Sequence, residues 1–350
     1  MVKYYDYFGK EALELGDKKL FLFDMDGTIY EENTLFDGTL DLLTEIKKSG
    51  GRYVFITNNS SKSVVDYIKK VQGLKIACDE NNFFTSAQAT ILYIKNRGLK
   101  DKLIYCQGTE SLVKELVDAG LNVTTDVNYN AEVILVGFDT ELTSQKIRNT
   151  CEMLSVKKED LYIATNPDLA CPVSFGFIPD CGSICGMINN ATGRVPTYIG
   201  KPEPTMVRIV AEKFGIPDKD ICVIGDRLYT DVATGLNAGV TSIAVLTGEA
   251  TEFDIKKGNI KPTYTFQSVN EMYECIRQVH DGIDTKELIS ERSVRLNQDI
   301  QECNRIIGSG CEDELIEELK LRYSYYDVSG SNIEILQNIK KQLLYAARML

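Results

Sequence analysis

The sequence predicts an α/β fold built on parallel sheets, and three observations carry that expectation. Short apolar strands alternate with helical patterns along most of the chain. Those strands lack polar alternation, as strands covered on both faces do. Polar residues able to do chemistry recur just past strand C-terminal ends, the edge where doubly wound sheets bind ligands. With 350 residues, 43% of them hydrophobic, there is ample material for a core and for two or three domains.

The elements are expected in the following order. Leu20–Phe23 reads as a strand ending at Asp24. Leu40–Lys48 reads as a helix, closed by Ser49-Gly50-Gly51. The strand Tyr53–Ile56 ends at Thr57, and Ser63–Gln72 is helical. Ala87–Lys95 is a helix, Leu103–Cys106 a strand, and Glu110–Ala119 a helix ending at Gly120. Val133–Val136 is a strand, Leu142–Ser155 a helix and Ile163–Ala164 a short strand. Thr197–Ile199 leads to Lys201, and the helix Thr205–Phe214 follows. Ile221–Ile224 runs into Gly225-Asp226, and Thr241–Val245 is the last clear parallel strand.

From 282 onward the alternation stops. Ile289, Leu296, Ile300, Cys303 and Ile307 lie at heptad-like spacing. Ser331 and Glu334 form a capping box before Leu336, Ile339, Leu343 and Leu350. Two or three amphipathic helices are expected, either as an appendage packed on the core or as an element that makes a homodimer.

Composition narrows the chemistry. The net charge of −12 leaves no basic stripe for nucleic acid. Met1–Lys10 lacks the apolar region of a signal peptide, and runs such as Val133–Val136 are far too short to span a bilayer. A soluble cytoplasmic protein is the expectation. The ten cysteines include no CxxC pair, so they read as reduced structural thiols. The lone histidine, His280, is expected at the surface. That removes phosphohistidine enzymes, histidine-rich metal pairs and Ser-His-Asp hydrolases. No Cys-x5-Arg, GxGxxG or Walker loop occurs. What remains is catalysis by carboxylates, lysine and metal.

The central segment is Leu22-Phe23-Asp24-Met25-Asp26-Gly27-Thr28. Two carboxylates leave a strand end together, and Gly27 lets the chain turn. One can attack phosphorus while the other gives a proton to the leaving oxygen and later takes one from water. A calcium loop needs Gly at its sixth position and Glu at its twelfth, where this chain has Ile29 and Leu35. An Asx-rich turn is the plainer alternative. Thr57-Asn58-Asn59-Ser60 offers a hydroxyl and backbone N–H groups suited to phosphate, although a helix N-cap reads the same. Gly200-Lys201-Pro202 supplies a cation. Gly225-Asp226-Arg227-Leu228-Tyr229-Thr230-Asp231 puts two more carboxylates at a strand end, as a Mg²⁺ site does and as a solvated turn would too.

Taken together, DMDGT, TNNS, GKP and GDRLYTD resemble the haloacid dehalogenase (HAD) superfamily. The match is closest to the subfamily with a large α/β cap inserted after the second motif, the NagD and 4-nitrophenylphosphatase-like branch. It covers about residues 17–278 and takes in Asn166-Pro167-Asp168, Pro179, Gly182-Ser183 and Thr192-Gly193. The resemblance implies a Rossmann-like HAD core over 1–100 and 193–280, a C2-type α/β cap over 101–192 and a helical C-terminal extension over 281–350. It implies that Asp24 is the nucleophile and a Mg²⁺ ligand, and that Asp26 is the general acid/base, with its carbonyl on the metal. Thr57 and Asn58 would bind the phosphoryl group, and Lys201 would stabilise charge and orient Asp24. Asp226 would ligate Mg²⁺, with Asp231 supporting the site through water or a neighbouring contact. Near Cys171–Ser183 a cap loop would face the active site, with Phe175, Phe177 and Asp180 as its candidate specificity residues; Phe175 and Phe177 alternate with Gly176, so either one aromatic points into the cleft or both pack within the cap. Family members often carry Gly at the position of Asp180, so an acidic loop here would disfavour phosphoglycolate. Neutral sugar phosphates, nucleoside monophosphates and pyridoxal phosphate stay open. The activity implied is hydrolysis of a small phosphomonoester through an aspartyl-phosphate. Phosphoryl transfer to a second sugar, and a non-catalytic assembly protein that senses a phospholigand, are the alternatives.

Overall fold

A computed structural model of the chain describes residues 4–61, 64–157, 161–173, 175–282, 284–323 and 330–349. Its larger sheet has six parallel strands in the order Tyr264–Phe266, Thr241–Val245, Ile221–Gly225, Leu20–Phe23, Arg52–Thr57, Phe83–Thr85. Leu20–Phe23 lies between Ile221–Gly225 and Arg52–Thr57, so the ends carrying Asp24, Thr57 and Asp226 stand side by side. Alternate residues fill opposite faces. Phe21, Phe23, Phe55 and Ile224 pack with Leu42, Ile46, Met272 and Ile276. Leu20, Leu22, Val54 and Val223 pack with Met206, Val207 and Val210 of the helix Thr205–Phe214. Coverage on both faces explains why these strands are apolar throughout. Thr241–Val245 is not the final strand: Tyr264–Phe266 continues the sheet, followed by the helix Val269–Asp281.

The smaller sheet is also parallel, ordered Thr197–Tyr198, Leu161–Ala164, Val133–Val136, Leu103–Gln107, Asn122–Thr124. Its last strand lies beyond the expected limit at 192, because Thr197 and Tyr198 pair with Ile163 and Ala164 before the chain returns to the large sheet. The helix Ser86–Asn96 joins the two halves. Its Ala89 packs in the core of the large sheet, while Ala87, Ile91 and Ile94 pack with Ile104, Leu135 and Ile163 of the small one.

Three helices follow, Thr285–Ile306, Glu312–Arg322 and Asn332–Met349. They share a core of Leu296, Ile300, Cys303, Leu319, Leu336, Ile339 and Leu343. The Ser331–Glu334 cap is present, with Ser331 N–H and Oγ both 2.9 Å from the Glu334 carboxylate; Leu350 lies outside the described residues. This unit docks on the segment that precedes the first strand. Arg292 forks onto Glu11 at 2.6 and 2.7 Å, Arg295 covers the Tyr5 ring at 4.0 Å, and Arg322 donates to the Phe8 carbonyl. The appendage reading therefore describes its place in this chain.

His280 is not the free surface residue expected. Half-buried, it sits 2.6 Å from a Glu45 oxygen and 3.0 Å from the Gly16 carbonyl, bridging the helix Val269–Asp281 to its neighbours. None of the ten cysteines forms a disulfide. No helix among the described residues is long and apolar enough to cross a membrane.

Candidate active site

Lys201 is the geometric centre. Its ammonium lies 2.5 Å from Asp24 Oδ1 and 2.6 Å from Asp231 Oδ1, and it donates to the Ile56 carbonyl at 3.3 Å. Burial alone would lower its pKa, but Asp231 and Asp24 more than offset that and raise it, so the lysine stays charged. Asp231 reaches this position from a single wide helical turn over Leu228–Val232, and its second oxygen accepts from the Arg227 N–H at 3.1 Å.

Asp24, Asp226 and Asp231 each offer an oxygen, all within 4.8 Å of one another. Burial raises Asp226 to about 6, with repulsion from Asp24 adding to it. Burial raises Asp231 to about 7, against the pull of Lys201 and with Asp24 and Asp226 adding. A hard divalent cation takes oxygen donors and would relieve this repulsion, so the donor set fits Mg²⁺. The cradle is tight. A Cβ on Gly27, which has φ of +81°, would come within 2.7 Å of Asp226 Oδ2. Asp226 is held by the Glu249 N–H at 2.8 Å and the Thr28 hydroxyl at 3.3 Å.

Asp26 points into the open cleft. Its walls still push the carboxyl above the usual range by desolvation; Lys70 pulls the other way and Asp24 adds to the rise. Thr57 also lines the cleft and is buried, its hydroxyl oxygen accepting from Asn59 N–H at 3.2 Å.

The Asn58 side chain braces Lys201 and leaves the residue's backbone N–H, the kind of group expected to meet phosphate. Its side-chain oxygen accepts from Lys201 N–H at 2.7 Å, and its amide donates to the Lys201 carbonyl at 2.9 Å and to Asp168 Oδ1 at 3.1 Å. With the side chain so engaged, a phosphate contact from this residue falls to its backbone. Gly200 permits the arrangement, since a Cβ there would lie 2.4 Å from Asn58 Oδ1. Ser60 extends the link, meeting Thr165 at 2.9 Å and accepting from Phe138 N–H at 3.1 Å.

The cap side is formed by the antiparallel hairpin Ala170–Val173 and Gly176–Pro179. Phe177 lines the cleft although 67% exposed, whereas Phe175, 80% exposed, does not. Asp180 borders the cleft but is almost wholly buried, not presented on an open loop. It caps the helix Cys181–Thr192 by accepting from Cys181 N–H at 2.5 Å and from the Asn166 amide at 2.9 Å. Burial raises it to about 6. The cleft encloses roughly 670 Å³, with Phe138, Val173, Phe177 and Ile178 among its apolar lining residues and Glu31, Glu32, Lys70 and Arg227 among its polar ones. None of its lining residues lies beyond Glu249.

Sequence reasoning missed three of these groups. Lys70 sits on a helix with no local signal. Arg227 lies inside a motif and pairs with Glu249 at 3.0 Å. Asp168 was visible only as part of Asn-Pro-Asp, and its buried carboxylate ties cap to core.

Known proteins match this arrangement. Residues 21–122 fit the "Haloacid dehalogenase-like hydrolase" family and residues 198–272 the related HAD-hydrolase-like family. The acid sugar phosphatase of Staphylococcus haemolyticus is 32% identical over 252 residues, spanning 72% of this chain and 94% of that protein. The crystal structure of 4-nitrophenylphosphatase from Thermotoga maritima superposes with a TM-score of 0.71 at 37% identity, covering 75% of this chain and 99% of that one. The p-nitrophenyl phosphatase from Archaeoglobus fulgidus gives 0.68 at 30% identity, covering 74% and 99%. Fold and site thus define a hydrolase with a parallel core sheet and an inserted cap. The chain belongs to the haloacid dehalogenase-like hydrolases, in their NagD and 4-nitrophenylphosphatase branch, and it is a phosphatase acting on small phosphorylated substrates.

Proposed function

We propose that this chain is a Mg²⁺-dependent sugar-phosphate phosphatase working through an aspartyl-phosphate on Asp24. The observation that carries the reading is the Lys201 ammonium held between Asp24 and Asp231 beside Asp226. Asp24 attacks phosphorus, and the bond to the leaving oxygen breaks as Asp26 gives that oxygen its proton. Water then attacks the phosphoryl group while Asp26 takes a proton from it, which releases phosphate and restores Asp24. Lys201 holds the Asp24 carboxylate in line and offsets charge on the transferring group. The Thr57 hydroxyl and the Asn58 backbone N–H bind phosphoryl oxygens. A Mg²⁺ held by Asp24, Asp226 and the Asp26 carbonyl, with Asp231 in support, would supply the remaining positive charge.

A sugar phosphate suits the cleft because Phe177 and Ile178 offer apolar surface, while Glu31 and Glu32 discourage a second anion on the substrate. The name of the acid sugar phosphatases among the relatives points the same way. Transfer to a second sugar needs a cap that moves to exclude water. Here Asn58–Asp168, Ser60–Thr165 and the shared helix Ser86–Asn96 tie the cap down, which favours hydrolysis. The test is phosphate release from 4-nitrophenyl phosphate and from a sugar-phosphate panel, with and without Mg²⁺. Activity equal in wild type and Asp24→Asn would refute the reading.

A further inference from the structure

We infer that Lys70 is a positioning residue for the proton-transfer group Asp26, an inference that rests on the reading of Asp26 as general acid/base. Three contacts carry it. The Lys70 ammonium lies 3.5 Å from Asp26 Oδ1. The same ammonium stands 4.0 Å from the centre of the Tyr30 ring. The Tyr30 hydroxyl is 3.4 Å from the other oxygen, Asp26 Oδ2. One carboxyl group is therefore held at both oxygens by two groups that also touch each other.

The setting makes the arrangement selective. Tyr30 is wholly buried, so its ring is a fixed platform and not a mobile neighbour. A cation over the face of a tyrosine ring is attracted by the ring's quadrupole, and that attraction strengthens as water is excluded. Lys70 keeps 28% of its side chain exposed and lines the cleft beside Asp26, so it borders the space a substrate has to enter. Its helix, Val64–Gly73, begins soon after the Thr57–Ser60 segment, and Tyr67 on that helix donates to the Asn59 carbonyl at 3.4 Å. Thus one short stretch of chain places both the phosphate-binding loop and the partner of the proton-transfer group.

The chemistry follows from charge. When Asp26 gives its proton to the leaving oxygen, negative charge develops on its carboxyl group. An ammonium 3.5 Å away stabilises that charge as it forms. The benefit grows with the extent of proton transfer. An alkyl ester such as a sugar phosphate needs a full proton on its leaving oxygen, whereas 4-nitrophenolate departs without one. Lys70 should therefore matter far more for alkyl esters.

The experiment measures kcat/KM, which reports steps through phosphoryl transfer to Asp24, for 4-nitrophenyl phosphate and for a hexose 6-phosphate. Wild type, Lys70→Met, Lys70→Gln, Lys70→Arg, Tyr30→Phe and Asp26→Asn are compared, with melting temperature as a check on folding. Lys70→Met and Lys70→Gln are expected to lose roughly tenfold more on the hexose phosphate than on the nitrophenyl ester, in kcat more than in KM. Lys70→Arg should recover most of that difference, and Tyr30→Phe should show a smaller one. Equal losses on both substrates, or a rise in KM alone, would overturn the inference, because a structural or anion-binding lysine does just that. If Asp26→Asn discriminates between the esters while both Lys70 variants do not, Lys70 has no such role and the reading of Asp26 stands. If Asp26→Asn fails to discriminate as well, the reading of Asp26 falls and the inference falls with it.

Discussion

Replacing Asn58 by alanine removes three buried hydrogen bonds at once, to Lys201 N–H, to the Lys201 carbonyl and to Asp168. Each partner is then left buried without its bond, and each such group costs on the order of 1–3 kcal/mol. At the low end the total is about 3 kcal/mol, a fall in melting temperature of about 5 °C for a chain of this size. The effect on catalysis should be larger than stability alone suggests. Lys201 loses both backbone anchors, and a displacement of about 1 Å at a catalytic group can cost about a hundredfold in rate. Asn58→Asp offers a sharper comparison. It keeps the acceptor for Lys201 N–H but sets a second carboxylate against Asp168, so it should be less stable than Asn58→Ala at pH 8 and recover on acidification. Thermal melts and kcat on 4-nitrophenyl phosphate provide the readout. An Asn58→Ala variant that melts within 1 °C of wild type and keeps its kcat would show that this amide holds nothing in place.

Other expectations follow from the same geometry. Mg²⁺ should raise the melting temperature more at pH 8 than at pH 5.5, since Asp226 and Asp231 take up protons near 6 and 7 and must release them to hold a cation. Without metal the sign reverses. The folded state binds those protons more tightly than the unfolded chain, so stability should fall as pH rises from about 4 to about 7, which melts in chelator can follow. Gly27→Ala should abolish most activity, because φ of +81° and the approach to Asp226 both exclude a Cβ; loss of the Mg²⁺-dependent melting shift would report it. Arg322→Met should free the terminal helices without changing kcat. Asp299 is left buried without its cation while every residue lining the cleft stays in place, and hydrogen exchange over residues 285–349 would show the loosening.

The sequence disclosed the α/β architecture where segments were long or strictly apolar. Leu20–Phe23, Val133–Val136, Thr205–Phe214 and Thr241–Val245 stand where their patterns put them. Short edge strands did not show themselves. Tyr264–Phe266 has three residues, too few to display a period, and the cap hairpin carries Pro172 and Pro179. The motif residues were legible because each strand end brings its own turn chemistry, and the sheet order then gathers Asp24, Thr57, Lys201, Asp226 and Asp231. Direction was not legible. Nothing in Thr-Asn-Asn-Ser says that the first asparagine turns its amide toward Lys201 and Asp168. Nothing in Lys69-Lys70 says which lysine faces the cleft. Asp180 read as an acidic loop residue, but the same position is a helix N-cap, and only tertiary burial separates those meanings.

The helix Ser86–Asn96 belongs to two hydrophobic cores at once. Neither half can melt without stripping one side of that helix, so the two sheets should be lost in a single cooperative transition. The same sharing should give the enzyme a porch and not a door. Substrates are then expected to come and go through a standing opening without a swing of the cap, and discrimination should rest on what fits in the doorway.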